Sequence, residues 1–508
     1  MSSTVITLAR TENQVRSLAQ YALDFLAGKI GEPSEAVLQA TERFQLDAVA
    51  CGVSALALGT NAPTVLRREA LEYPRAAGKQ SGGVPCFGSR ATVAPEKAVV
   101  ANSAAVREWD SNGTNFGYDP ARGHTAGEFG HNDFYPVAVA AAQRAGFDGP
   151  QTLRAMLLID EIRGRLAEVF SLKTYKIDHV VHGAIASAIV YGAALGATVE
   201  QIESAVGMTV AHYIPFRAIR AGKQLSDSKG SSAAISSEVA VLSMCRAMRG
   251  FIGPADIFRN PEAIFCLFEK PARMGESPFD LVVGNAGDDY AVMGMHFKIG
   301  LYEHQSAGAI QGLIDLLAKH PQLLADESKL KKLVITIYEP AFGIIGDPAK
   351  RDPRTRQSAD HSMVYIVATL LRKALQSKRA GWEELMLLPQ DYDDAALVEP
   401  LTRRLIEKID FRHGGREFDE RYPDGIPTSL EIEHADLGSL SSGLVMYPEG
   451  HARNRSGNLE RLLKTKFERL AALGVDDAAG LYQRFTNFRS KSAAEIASLY
   501  DFSIRGVE

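Results

Sequence analysis

The sequence predicts a mainly α-helical protein with a smaller α+β insertion, and two observations predict it. Residues 1–292 are a succession of long segments with helical apolar periodicity. Alternating β-branched runs appear only later, at 330–340 ("LKKLVITIYEP") and 428–438 ("TSLEIEHADLG"), before amphipathic helix returns at 450–474. In chain order, the helical segments include 12–28 ("ENQVRSLAQYALDFLAG"), 34–59 ("SEAVLQATERFQLDAVACGVSALALG") and 136–146 ("PVAVAAAQRAG"). Further along come 150–170 ("PQTLRAMLLIDEIRGRLAEVF"), 182–196 ("HGAIASAIVYGAALG") and 199–213 ("VEQIESAVGMTVAHY"). Several are dense in Ala and Gly on more than one face, which lets helix axes approach closely and predicts a tight, mostly buried bundle. Between the two strand signals, 359–375 ("ADHSMVYIVATLLRKAL") reads as a helix, so that region is α+β. The boundaries that follow are 1–292 for the first part of a helical domain, 293–440 for an inserted α+β lid domain, and 441–508 for the helical domain's C-terminal part.

Composition narrows the function. At 508 residues the chain exceeds what one core encloses. With 46% hydrophobic and 23% charged residues it has the make-up of an ordinary globular protein. A net charge of −5 supplies no basic excess to neutralise a phosphate backbone, so no nucleic-acid partner is expected. No stretch reaches the ~18 consecutive apolar residues of a membrane span, and the first 20 residues lack a signal-peptide pattern, so no membrane association and a cytoplasmic location are expected. Cys51, Cys86, Cys245 and Cys266 are far apart with no C-x-x-C pair, which fits neither a zinc knuckle nor an iron–sulfur cluster. There is no phosphate-binding G-x-x-x-x-G-K-[ST] and no G-x-G-x-x-G after a strand, so neither a metal nor a nucleotide cofactor is expected.

Ionisable residues concentrate in a few segments. "REWDSNGTNFGYDPARGHTAGEFGHNDFYP" holds Asp110, Thr114, His124, Glu128, His131 and Asp133 in a Gly-rich setting suited to lining a site. "KIDHVVHGAIASA" places His179 and His182 on one helical face; with no H-E-x-x-H, structural histidines explain the spacing better than metal ligands. "SDSKGSSAAISSE" (226–238) is too poor in large apolar residues to hold itself by burial, yet carries Lys229 in its middle. Its Ser226-x-x-Lys229 lacks the companion motifs of serine acyl transfer, whereas an ammonium among small residues suits an approaching anion. "MHFKIGLYEHQSAGA" brings Lys298, Glu303, His304 and Gln305 to the passage between helical and mixed regions, where clefts form. "DPAKRDPRTRQSADHSMVY" adds Lys350, Arg351, Arg354 and Arg356, with His361 after Asp360, as a possible carboxylate clamp.

Taken together, "REWDSNGT", "GHNDFYPVAVAAA", "YKIDHVVHGAIASA", "SDSKGSSAA", "FKIGLYEHQSA" and "DPAKRDPRTRQSADHSMVYIVATLL" resemble, in order and spacing, the MmgE/PrpD family. Its members include 2-methylcitrate dehydratase, cis-aconitate decarboxylase and an iminodisuccinate epimerase. The resemblance implies a discontinuous helical domain with an inserted α+β lid, a homodimer, and a cleft active site without a metal or iron–sulfur cluster. Carried over by motif, the family's site residues fall on Asp110, Thr114, His131, His179, Lys229 and Lys298. Lys223, six residues before Lys229, competes for its place. The chain departs from the family at Asn112–Gly113, where many members carry an acidic residue, at His131–Asn132 in place of His–Pro, and at His304.

The activity expected is that of a metal-independent hydro-lyase, a carbon–oxygen lyase dehydrating 2-methylcitrate or a related hydroxytricarboxylate to its cis-enoate. Eliminating water beside a carboxylate needs a base within reach of the carbon proton and an acid at the leaving oxygen. His131 and Asp110 are assigned to proton transfer and its support, and His179 to the second acid–base role. Lys229 and Lys298 clamp carboxylates and offset developing charge, and Asn112, Thr114, Glu303, His304 and Gln305 contact substrate. A cis-aconitate-type decarboxylase, an epimerase of a polycarboxylate, and a non-catalytic polycarboxylate-binding homologue use the same residues and remain open at this level.

Overall fold

The computed structural model describes residues 3–78, 82–124, 132–220, 225–345 and 348–507. Helices dominate the described residues of the N-terminal half, among them α1 (Gln14–Leu26), α2 (Glu35–Ala57), α3 (Pro95–Arg107), α4 (Tyr135–Ala145), α5 (Gly149–Val169), α6 (Val180–Ala194), α7 (Val199–His212) and α8 (Asp227–Ala247). Their starts are written locally. Ser34 caps α2 by accepting from Val37 N–H, while Asp148 with Gln151 and Thr198 with Gln201 form capping boxes at α5 and α7. α6 is apolar on every face and all 15 of its residues are buried, as expected of a helix at the centre of a bundle.

The small-residue run at 226–238 differs from its expectation. It is no loosely held stretch but the first turns of α8, and Ser231, Ser232, Ala233, Ala234, Ser236 and Ser237 are buried. α3 and α6 pack directly against α8, so the missing side-chain bulk is replaced by neighbouring helices at close range. Lys229, in the first turn, is carried into the interior with them, 3% exposed.

The β content is small and scattered. The main sheet has four strands in the order β4–β3–β5–β6, formed by β3 (Leu330–Ile337), β4 (Ile409–His413), β5 (Thr428–His434) and β6 (Gly438–Val445). β3 and β4 run parallel, with Leu333 opposite Ile409, while β5 is antiparallel to both β3 and β6. Along β5, Thr428, Leu430, Ile432 and His434 are buried and the residues between are not, the period-two pattern of a strand with one covered face. Helix α9 (Ala307–Lys319) lies on β5 and β6, and α10 (Met363–Ser377) packs against α9. The two strand signals in the sequence are β3 and β5. β4 and β6 were not foreseen.

After the sheet, α11 (Leu459–Ala471) returns to pack along α2. Two two-residue strands join distant parts of the chain: β1 (Asn112–Gly113) pairs antiparallel with β2 (His296–Phe297). Phe297 stacks on Phe44 of α2 with ring centroids 3.8 Å apart, and its N–H donates to Gly450 O at 2.9 Å, so β2 is held from two sides. Among the described residues, no single helix is long and apolar enough to cross a membrane.

Candidate active site

The site is assembled where α3 ends. Asp110 N–H donates to Arg107 O at 2.9 Å, and Asp110 then takes the left-handed conformation (φ 51°), a reversal common just past a helix C-terminus and tolerated by Asp. The turn leads the chain into β1 and leaves the Asp110 carbonyl to accept from Lys298 Nζ. Lys298 directly follows β2, and its N–H donates to Ser111 O at 3.1 Å, so the β1–β2 pairing fixes the two residues side by side.

Among the described residues, four cationic or imidazole groups stand around the buried Asp110 carboxylate, Arg107 from the same turn and three from further parts of the chain. Arg107 Nη1 lies 2.6 Å from Oδ1 and Lys298 Nζ 3.4 Å from the same oxygen. Lys229 Nζ lies 3.5 Å and His361 Nε2 3.1 Å from Oδ2. Burial alone would raise the Asp110 carboxyl, but the charges of Arg107, Lys298 and Lys229 together with the His361 hydrogen bond hold it well below the usual carboxylate range. Arg107 also reaches Asp133 Oδ2 at 3.2 Å.

A second layer of charge adjoins the first. His361 Nδ1 hydrogen-bonds Asp360 Oδ1 and lies 3.4 Å from Lys229 Nζ, so each ring nitrogen faces a carboxylate while an ammonium stands beside the ring. Arg356 spans Glu108 Oε1 at 2.6 Å and Asp360 Oδ2 at 3.1 Å. Burial likewise works against ionised Asp360, yet Lys229 and His361 hold its carboxyl below the ordinary value. Burial pushes Glu108 up to about 7, outweighing the attraction of Arg356 despite their short contact. Lys229 Nζ lies 3.4 Å from His361 Nδ1, 3.5 Å from Asp110 Oδ2 and 3.9 Å from Asp360 Oδ1, which places an ammonium between the two carboxylates.

Of the residues named from sequence, the structure brings Asp110, Lys229 and Lys298 into one cluster. His131 lies outside the described residues, as do Glu128 and Lys223. His179 is buried at the start of α6 with Nδ1 3.5 Å from Asp178 Oδ1; Asp178 in turn lies within electrostatic range of Arg107, which sets His179 one carboxylate removed from the cluster. His182 is wholly buried, and burial, aided by Arg163, drives it well below the ordinary histidine value, so it is a neutral core residue. His124 pairs with Glu269 at 2.8 Å, in a group with Tyr175 and Arg122. Asn112 and Thr114 are buried in and just beyond β1. Glu303 is half-buried and caps the turn at His304–Ser306 by accepting from Gln305 N–H at 2.9 Å; Gln305 is buried.

His304 has a particular setting. Its ring stacks on His296 at 5.0 Å and 10°, and His296 stacks on His451 at 4.0 Å and 24°. Ala452 N–H donates to His296 Nδ1 at 3.0 Å and Arg453 N–H to His451 Nδ1 at 3.1 Å, which leaves Nε2 as the proton-bearing nitrogen of each neutral ring. Burial lowers His451 to about 4, so it is neutral at pH 7. A side chain at Gly113 would place Cβ 2.6 Å from His304 Cγ. The departures at 113 and 304 are therefore one feature: the imidazole occupies the space a residue at 113 would need. Gly113→Ala should displace His304, destabilise the fold by about 1–3 kcal/mol in denaturant titration, and raise KM for whichever polyacid the enzyme uses.

Sequence reasoning did not single out Arg107, Glu108 or Arg356 individually. Arg107 and Glu108 were visible as the first half of "REWD", where i,i+3 spacing puts Arg107 against Asp110. In the sequence, Asp360 and His361 read only as part of a cationic loop. Among the described residues, no group of three or more His, Cys, Asp or Glu side chains is arranged to hold a metal ion.

Comparison with known proteins bears on this cluster. The family model of the MmgE/PrpD N-terminal domain matches residues 16–276, and that of the C-terminal domain matches residues 302–483. The 2-methylcitrate dehydratase of Escherichia coli (strain K12) is 25% identical, with 78% of this chain and 81% of that protein covered. A mitochondrial 2-methylcitrate dehydratase of Yarrowia lipolytica is also 25% identical, with 95% and 92% covered. The Salmonella typhimurium 2-methylcitrate dehydratase shows the same identity, covering 78% and 81%.

Proposed function

Because the chain belongs to the MmgE/PrpD family, we propose that it is a metal-independent hydro-lyase that dehydrates 2-methylcitrate, or a closely related hydroxytricarboxylate, to the cis-enoate. The observation that carries this reading is the convergence of Arg107, Lys229, Lys298 and His361 on one buried carboxylate, Asp110. The names of the relatives supply the substrate class.

The residues divide the work as follows. Asp110, held strongly ionised, is a poor base and serves as the fixed counter-charge that orients two ammonium groups and one imidazole. Lys229 and Lys298 clamp substrate carboxylates and stabilise the enolate-like charge that builds as the carbon proton leaves. His361, polar on both ring nitrogens and 19% exposed at its side chain, delivers a proton to the departing hydroxyl. His131 and His179 remain the candidates for the base. Asn112, Thr114, Glu303, His304 and Gln305 are the candidates for the remaining substrate contacts. The sheet-bearing insertion closes over the helical part, bringing His361 to Asp110, and two chains form a homodimer.

Lys229→Ala should raise KM and lower kcat together, reducing kcat/KM by about 10²–10³-fold, and an unaffected enzyme would remove Lys229 from the site. The reading itself is tested by incubating purified protein with 2-methylcitrate, citrate and cis-aconitate while following enoate absorbance and released carbon dioxide. Absorbance growth from 2-methylcitrate without gas supports it. Carbon dioxide released from cis-aconitate, with no absorbance growth from 2-methylcitrate or citrate, replaces it with decarboxylation.

A further inference from the structure

Far along the chain, Lys466 of α11 is 0% exposed, an ammonium in the interior. It interrupts an otherwise apolar helix face, lying between Leu462 and Leu470, both buried. Its Nζ donates to Lys298 O at 2.8 Å and lies 2.7 Å from Asp47 Oδ1 of α2. The second oxygen of Asp47 accepts from Ser111 Oγ at 2.6 Å, and Ser111 O accepts from Lys298 N–H at 3.1 Å. Asp47, Lys466, Lys298 and Ser111 thus form a closed ring of polar contacts, with Asp110 attached to it through both Ser111 and Lys298. Three parts of the sequence, near 47, near 111 and near 466, meet at the backbone of Lys298.

We infer that Lys466, with Asp47, is a positioning residue that sets the placement of Lys298 against Asp110. The inference rests on the reading of Asp110 and Lys298 as the substrate site. Its physical ground is that a buried ion pair contributes little net stability compared with apolar residues of the same volume, so stability alone gives small reason for an ammonium here. What the pair does provide is direction. The Lys466 ammonium holds the carbonyl of the residue whose own ammonium reaches the site, and Asp47 holds the residue next to Asp110. A shift of about 1 Å in such a support costs catalysis about 10²-fold without any contact to substrate.

The test uses the full-length protein, with Asp47→Asn, Lys466→Met and the double variant, whose interior holds no unpaired charge. Kinetics with 2-methylcitrate are read together with calorimetric binding of tricarballylate, a tricarboxylate that has no hydroxyl to lose. The double variant should melt within a few degrees of the wild type, yet show kcat lowered about 10²-fold and weaker tricarballylate binding. Added to Lys298→Met, Lys466→Met should cost nothing further in kcat. A folded double variant with wild-type kcat and affinity, or a Lys466 effect that persists undiminished in Lys298→Met, overturns the inference. If the wild type neither turns over 2-methylcitrate nor binds tricarballylate, the site reading fails first and this inference falls with it. Binding without turnover leaves the affinity comparison to decide between a positioning and a purely structural role.

Discussion

Asp110→Asn should damage chemistry and fold together, lowering kcat by about 10³-fold and stability by about 3–5 kcal/mol. The carboxylate is buried and faces Arg107, Lys298, Lys229 and His361; a neutral amide removes the charge all four share, although Asp133 still faces Arg107 and Asp360 still faces Lys229 and His361. The pH dependence has a definite sign. The folded-state value lies below the unfolded one of about 3.9, so the ionised form contributes stability that is fully present above that pH and is lost as pH falls through the folded value. Denaturant titrations of the variant should therefore show lower stability at neutral pH and a flatter decline below about pH 4. A variant as stable and as acid-sensitive as the wild type would show that Asp110 is not the hub of the cluster.

His361→Gln should separate chemistry from stability. The ring contacts Asp110 and Asp360 and stands beside Lys229, but it is the most exposed member of the inner cluster, so its loss should shift the melting temperature by only a few degrees. If His361 delivers the proton to the leaving hydroxyl, kcat falls by about 10²–10⁴-fold with KM little changed, and one limb of the kcat–pH profile disappears. A rise in KM at constant kcat and an intact pH profile would instead mark His361 as a carboxylate ligand.

Much of this fold could be read from the sequence because its strongest signals are long. α2, α5 and α7 carry their apolar periodicity over 14 to 23 residues and begin at Ser34, Asp148 and Thr198, residues that cap by simple chemistry. β3 and β5 announce themselves through Val, Ile and alternation. β4 ("IDFRH") is short and rich in charge, and β6 ("GSLSSGLV") is Ser- and Gly-rich; both are outer strands whose pairing is dictated by β3 and β5 more than by their own side chains. The small-residue start of α8 misled for a related reason: its burial comes from the helices beside it, which no local window contains.

The site was legible where a motif places ionisable groups near a bend, as for Asp110, Lys229 and Lys298. Asp47 and Lys466 escaped because each is the one buried charge of an amphipathic helix whose other charges are not buried. The signal was nevertheless there. Lys466 stands on the apolar face of "LERLLKTKFERLA", and Asp47 sits alone ahead of ten uncharged residues in "LDAVACGVSALA". A lone charge on a buried face requires a partner, and the two requirements satisfy each other 419 positions apart (466 − 47).

The central claim, that ammonium, guanidinium and imidazole side chains gathered around Asp110 dehydrate the polyacid without a metal, is tested most directly by one rate. Protein stripped with excess chelator is mixed with 2-methylcitrate, and enoate formation is compared with that of untreated protein. The account predicts equal rates. Activity abolished by chelation and restored by ferrous iron would contradict it.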